Sequence, residues 1–163
     1  MRVWVYGDNV NTDVIFPGKY TYTLKTPEDL AAHALEDLDP DFATEVQPGD
    51  VIVAGQNWGC GSSREQAVTA LKYAGVSVII AASFSRIYFR NCINQGVLPV
   101  ICPEAHQLVQ TGDIIEIDRE VGILHIAGRE FTIPPLSPSV QAILDAGGLV
   151  PMLQQRFQGV MTE

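Results

Sequence analysis

The sequence predicts a mixed α/β domain with a parallel core and extra antiparallel strands. Residues 51 to 101 run strand, helix, strand, helix, strand, an order that favours parallel pairing through helical crossovers. Val76 to Ala81 and Val97 to Ile101 are continuous apolar runs, the mark of strands covered on both faces. The C-terminal third then alternates with period two, which reads as an antiparallel meander.

Residues 2–6 read as a short strand, followed by a polar, turn-forming stretch from Gly7 to Asp13. Val14-Ile15-Phe16 is apolar, and Pro17-Gly18 closes it. A helix is expected over 27–37, with Thr26 as N-cap, Pro27 at the first helical position and Glu28 and Asp29 in the first turn. Pro48-Gly49-Asp50 turns the chain into the strand Val51 to Ala54. A second helix is expected from about Ser63 to Ala74, stopped by Gly75, and a third from about Phe84 to Asn94, stopped by Gly96. The meander comprises Asp113 to Ile117, Val121 to Ile126 and Glu130 to Ile133, with turns near Arg119-Glu120 and Ala127-Gly128. Residues 139–157 read as helical, interrupted at Gly147-Gly148. No internal repeat or second domain is visible, so residues 1–163 read as one domain.

Composition narrows the function. The chain is globular in make-up, with 47% hydrophobic and 18% charged residues, and carries a net charge of −9. That charge argues against nucleic acid and anionic membranes as general partners. It leaves room for a small anion held by local arginines. The three cysteines, Cys60, Cys92 and Cys102, have neither disulfide nor metal-ligand spacing. No signal peptide or membrane span is visible, so a cytoplasmic location is the expectation. His33, His106 and His125 share no spacing, and none receives a catalytic role.

The segment Gly55 to Glu65 carries the strongest local signal. It follows a strand, holds Gly59 and Gly61 for close backbone approach, and opens a helix whose free N–H groups suit an anion. Arg64 adds a planar fork that matches a carboxylate, beside the hydroxyls of Ser62 and Ser63. A plainer reading competes: Ser62-x-x-Glu65 and Ser63-x-x-Gln66 both fit capping boxes. The order of residues fits neither an α/β-hydrolase elbow nor a P-loop. Further along, Arg86 and Arg90 sit at i, i+4. Arg90 reads as part of a solvated basic face, and Arg86 is open between that and a ligand role. Asn11 reads as an Asx turn, and Cys60 as a small residue packed in a tight turn.

Four segments together resemble the aconitase superfamily, and within it the small subunits of 3-isopropylmalate dehydratases of the compact isopropylmalate/homoaconitate type. They are Gly7-Asp8-x-x-Asn11-Thr12-Asp13-x-Ile15-x-Pro17, Gly59-Cys60-Gly61-Ser62-Ser63-Arg64-Glu65, Ser83-Phe84-x-Arg86-Ile87-x-Phe89-Arg90-Asn91, and Asn94-x-Gly96 followed by Leu98-Pro99. The resemblance covers about residues 1–135. It implies a swivelling β/β/α domain like the mobile last domain of aconitase. It also implies a separate large subunit, in a heterodimer or heterotetramer, that carries a [4Fe–4S] cluster, with no cofactor bound by this chain. The two chains would close over a small di- or tricarboxylate, with the cluster iron as Lewis acid on the departing hydroxyl.

Carried over residue by residue, Ser62 is the base that removes a carbon-bound proton, and Ser63 and Arg64 hold a substrate carboxylate. Thr12, Asp13 and Arg86 support the site. The variable group of the substrate falls to the loop after Tyr20, where Tyr22, Thr23 and Leu24 are the expected contacts. That loop lacks the arginine of homoaconitase-type loops, which favours isopropylmalate. Lys25 keeps homoaconitate or another substituted malate open, and Thr21 stands where the family usually has Leu. An alternative of another class is a non-catalytic anion-binding module, in which the serine turn only caps a helix and grips a carboxylate.

Overall fold

The computed structural model describes residues 1–160, the side chains of the last two excepted. Four parallel strands, β1 (Val3–Tyr6), β2 (Val51–Ala54), β3 (Val78–Ala81) and β4 (Leu98–Ile101), form a sheet in sequence order. Pro99 has no N–H to donate and sits in β4, at the sheet edge where that loss is tolerated. Between β1 and β2 come α1 (Thr12–Ile15), α2 (Pro27–Ala32) and α3 (Phe42–Glu45). The later crossovers carry α4 (Gln66–Ala74) and α5 (Arg86–Gln95). A three-stranded antiparallel sheet follows, β5 (Glu116–Asp118), β6 (Ile123–Ile126) and β7 (Arg129–Thr132), and then α6 (Pro138–Asp145) and α7 (Leu149–Val160).

Alternation along the parallel strands sorts the core into two layers. Trp4, Tyr6, Ile52, Ala54, Ile79 and Ala81 face the helices and pack with Ile15, Phe42, Val68, Leu71 and Tyr88. Val3, Val51, Val53, Val78, Ile80 and Val100 face the other way, onto Ile115, Leu124, Ile126 and Leu144. The result is a β/β/α sandwich, as the resemblance implied. Ile79 and Ile80 are fully buried on opposite faces, so truncating either to Ala would cost about 2–5 kcal/mol. That double burial is the reason β3 reads as an unbroken apolar run.

Two helix expectations need correction. The helix begun by Thr26 ends at Ala32 instead of reaching residue 37, because Leu35 takes φ +58 and turns the chain back so that its N–H reaches Ile15 O at 2.8 Å. The helix expected from Ser63 begins at Gln66, with Glu65 at the cap position and no side chain capping it. Thr26 and Pro27 hold the expected start of α2, Gly75 and Gly96 stop α4 and α5 in left-handed conformations, and the chain breaks between α6 and α7 at Gly147-Gly148.

Candidate active site

The carboxyl ends of β1, β2 and β3 carry three loops that pair through their backbones. Gly59 N–H donates to Val10 O at 2.8 Å, and Thr12 N–H to Cys60 O at 2.8 Å. On the other flank Trp58 N–H reaches Ser83 O at 3.0 Å, and Ser85 N–H reaches Trp58 O at 3.0 Å. The Ser85 hydroxyl donates to Gly59 O at 2.7 Å while its oxygen also caps α5 at Tyr88 N–H. Segments 7–13, 57–62 and 82–86 therefore form one rigid rim where open α/β sheets place their ligands, outside the strand carboxyl ends.

Two glycines make the central turn possible. Gly59 has φ +74, and a Cβ there would lie 2.1 Å from Tyr88 Cγ, so the phenol ring occupies the space a side chain would need. Gly61 has φ +97 and faces Thr12 Oγ1. Tyr88 is fully buried and donates its hydroxyl to Ala67 O at 3.0 Å, which ties α5 to the first turn of α4 behind the site. Burial pushes its phenol well above the ordinary range.

The capping boxes are not formed. Glu65 Oε1 accepts from Gln95 Nε2 at 2.5 Å instead of turning back to Ser62. Ser62 is three residues clear of α4, and its oxygen serves a different set of donors. Arg64 Nε–H donates to Ser62 Oγ at 2.9 Å, and Arg64 backbone N–H points at it from 3.4 Å. Thr12 Oγ1 lies 2.8 Å from the same atom and also accepts Ser62 N–H at 3.0 Å. A hydroxyl oxygen that gathers donors in this way is set up to carry negative charge.

The Arg64 head is spread over three acceptors. Besides Ser62 it bonds Asp13 Oδ1 through Nη2, and it reaches Thr21 Oγ1 at 3.4 Å through Nη1. Gly18 makes room for this: a Cβ there would fall 2.5 Å from Arg64 Nη1 and 2.8 Å from Asp13 Oδ1. Asn11 caps α1 by accepting Val14 N–H, the expected Asx geometry, and so presents Thr12 inward and Asp13 outward. Ser63 is exposed, and its carbonyl is held by Asn91 Nδ2 at 3.3 Å.

Ser62 opens on a cleft of about 430 Å³ lined by Gly61, Ser62, Ser85, Arg86, Ile87 and Arg90. The structure thus joins Thr12, Asp13, Ser62 and Arg64 in one network and sets Arg86 on the cleft wall. Tyr22, Thr23 and Leu24, expected to contact the variable group of the substrate, stand apart from that cleft. Tyr22 is 87% exposed, Thr23 turns its hydroxyl to Tyr20 O at 3.4 Å, and Leu24 leans on the helical core. Gly18, Thr21, Tyr88 and Asn91 contribute without having been given a site role in the sequence. Gly18 was visible as one half of a Pro-Gly stop, Thr21 as a departure from the family's usual Leu, and Asn91 as the end of a resemblance segment, while Tyr88 left no signal.

The residues present do not fit an iron–sulfur cluster. Cys92 and Cys102 are buried in the two separate core layers, and Cys60 points its thiol at Asn9 O. Among the described residues no three His, Cys, Asp or Glu side chains converge as metal ligands. Nor is any described helix long and apolar enough to cross a membrane.

The chain is similar to known proteins over most of its length. Residues 8–105 match the family model described as the aconitase C-terminal domain. The chain is 45% identical over 157 residues to the 3-isopropylmalate dehydratase small subunit of Heliobacterium modesticaldum, spanning 95% of this chain and 94% of that one. It is 48% identical over 159 residues to the small subunit of the same name from Aquifex aeolicus, spanning 96% and 94% of the two. The crystal structure of a 3-isopropylmalate dehydratase chain from Methanocaldococcus jannaschii superposes with a TM-score of 0.89 at 42% identity, covering 99% of this chain and 96% of that one.

Proposed function

Since this chain belongs to the aconitase C-terminal domain family, we propose that it is the small subunit of a 3-isopropylmalate dehydratase. With a cluster-bearing large subunit it isomerises 2-isopropylmalate to 3-isopropylmalate by dehydration and rehydration, a step of leucine biosynthesis. Residues 1–163 act as its single swivelling domain, in the cytoplasm. The large subunit's cluster supplies the Lewis acid, and this chain supplies the proton chemistry and part of the substrate grip.

The convergence of donors on Ser62 Oγ carries the reading. A free serine hydroxyl is a poor base, so its alkoxide needs stabilisation. Arg64 Nε–H at 2.9 Å supplies a charge-assisted bond, and the Thr12 hydroxyl at 2.8 Å supplies a second donor. Ser62 Oγ takes the carbon-bound proton, and rehydration returns a proton from the same atom. Asp13 anchors Arg64 so that Nε faces Ser62. Arg64 Nη1, whose one acceptor among the described residues is Thr21 at 3.4 Å, is left to bind a substrate carboxylate with Ser63.

Anaerobic reconstitution with the large subunit, assayed on 2-isopropylmalate, homoaconitate and citraconate, tests the assignment. Turnover of 2-isopropylmalate is expected. Preference for homoaconitate would move the chain to the homoaconitase branch of the same chemistry. Ser62→Ala should lower kcat by roughly 10²–10⁴-fold, the usual worth of a general base. Full activity of that variant would reduce the turn to a non-catalytic anion grip.

A further inference from the structure

Arg86 and Arg90 stand one turn apart on α5 and line the cleft that holds Ser62. Among the described residues neither guanidinium has an ion-pair or hydrogen-bond partner, although the chain carries 19 acidic residues against 10 basic ones. The positions are unfavourable in the free chain. The first turn of α5 has no acidic residue, its positive dipole end repels cations, and the two like charges at i, i+4 repel each other. An anion in the cleft relieves both repulsions. Arg64 does not line this cleft, because its head is turned to Asp13 and Thr21. Ile87 adds an exposed apolar surface on the cleft wall.

We infer that Arg86 and Arg90 form a second carboxylate subsite, which grips the distal carboxylate of a dicarboxylate substrate while Ser63 and Arg64 hold the other. This rests on reading Ser62 as the base of a dehydratase. It assigns Arg90 a binding role that its sequence context did not suggest. Two paired guanidinium groups suit a carboxylate better than one point charge, since each can present two parallel N–H donors. The subsite also divides the labour of recognition. The charge at one end of the substrate is read by α5, and the charge at the other by the turn before α4.

The test uses the reconstituted complex with Arg86→Gln, Arg90→Gln and Arg90→Lys. Each Gln variant should raise KM for 2-isopropylmalate roughly tenfold or more while kcat changes little, with the Lys variant intermediate. Calorimetry with succinate and butyrate gives a readout independent of turnover. The wild-type complex should prefer succinate, and the double Gln variant should lose most of that preference. An unchanged KM and an unchanged preference would overturn the subsite. So would a KM rise that disappears at saturating large subunit, because that assigns the arginines to subunit docking. If the complex does not turn over 2-isopropylmalate but shows the arginine-dependent succinate preference, the substrate assignment fails and the subsite stands.

Discussion

Thr12 Oγ1 and Ser62 Oγ lie 2.8 Å apart across 50 residues of sequence, and the same Thr12 oxygen accepts the Ser62 backbone N–H at 3.0 Å. Thr12 is 1% exposed, so no water competes for its hydroxyl. With its oxygen already accepting one bond, its single proton is available to Ser62 Oγ. Thr12→Val keeps the shape but removes both functions. In the reconstituted enzyme kcat should fall about ten- to a hundredfold, since an unmet buried N–H and a lost donor each cost on the order of 1–3 kcal/mol. Thr12→Ser should recover most of the rate. A Val variant with normal kcat would remove Thr12 from the proton chemistry.

Gly18→Ala separates activity from folding. The three atoms nearest to the added methyl all belong to the far ends of two flexible side chains, Arg64 and Asp13. The chain should fold with a melting temperature close to that of the wild type, while Arg64 is pushed off the line to Ser62 Oγ. The expected outcome is a fall in kcat/KM of at least about tenfold, shared by Arg64→Lys, which cannot reproduce the planar fork. Wild-type activity in both variants would mean that the orientation of Arg64 is immaterial.

Gly59→Ala should behave in the opposite way and damage the fold. Its Cβ would sit 2.1 Å from the ring of a buried tyrosine, at a backbone φ of +74 that disfavours a side chain. A loss of about 3 kcal/mol or more in urea unfolding is expected, from overpacking and strain together. Gly7→Ala is the control, because a Cβ there meets nothing within 4 Å. It should change stability by no more than about 1 kcal/mol.

The layers were legible because each left a periodic mark. Ile79 and Ile80 face opposite layers, and that is why β3 shows no alternation in sequence. The meander, half exposed, kept its alternation, and its turns fall where Arg119-Glu120 and Ala127-Gly128 placed them. The start of α4 was not legible. Ser62 and Ser63 have ideal capping chemistry, but Gln95 and Asn91, about 30 residues downstream, claim Glu65 and the Ser63 carbonyl and hold the segment open. Long-range partners of this kind leave no local pattern. The same holds for Tyr88 beneath Gly59 and for Thr12 beside Ser62. Their motifs were visible, but the contact between them was not.

Asp50 fastens the first strand to the second and gives the fold an acid-sensitive joint. Its Oδ2 accepts Arg2 Nη2 at 2.6 Å and Nε at 3.0 Å, Trp4 Nε1 at 2.9 Å and Gln47 N–H at 2.9 Å. Burial by itself would raise this carboxyl, but the bonds from Arg2, Gln47 and Trp4 outweigh it and hold it below the usual aspartate range. A carboxyl lowered by folding contributes fully above its unfolded value of about 3.9 and loses that contribution as pH falls through the folded value. Asp50→Asn should therefore cost roughly 2–4 kcal/mol in urea unfolding at pH 7, where Arg2 and the indole lose a charged acceptor. At pH 3 the gap between variant and wild type should narrow, because the carboxyl of the unfolded chain, with its value of about 3.9, is then mostly protonated and folding must ionise it. Comparing the two proteins isolates Asp50 from Glu36, whose carboxyl is also lowered although burial opposes it, through His33, Lys19 and Tyr20. An equal gap at both pH values would show that packing, and not the charge on Asp50, secures the joint between the strands.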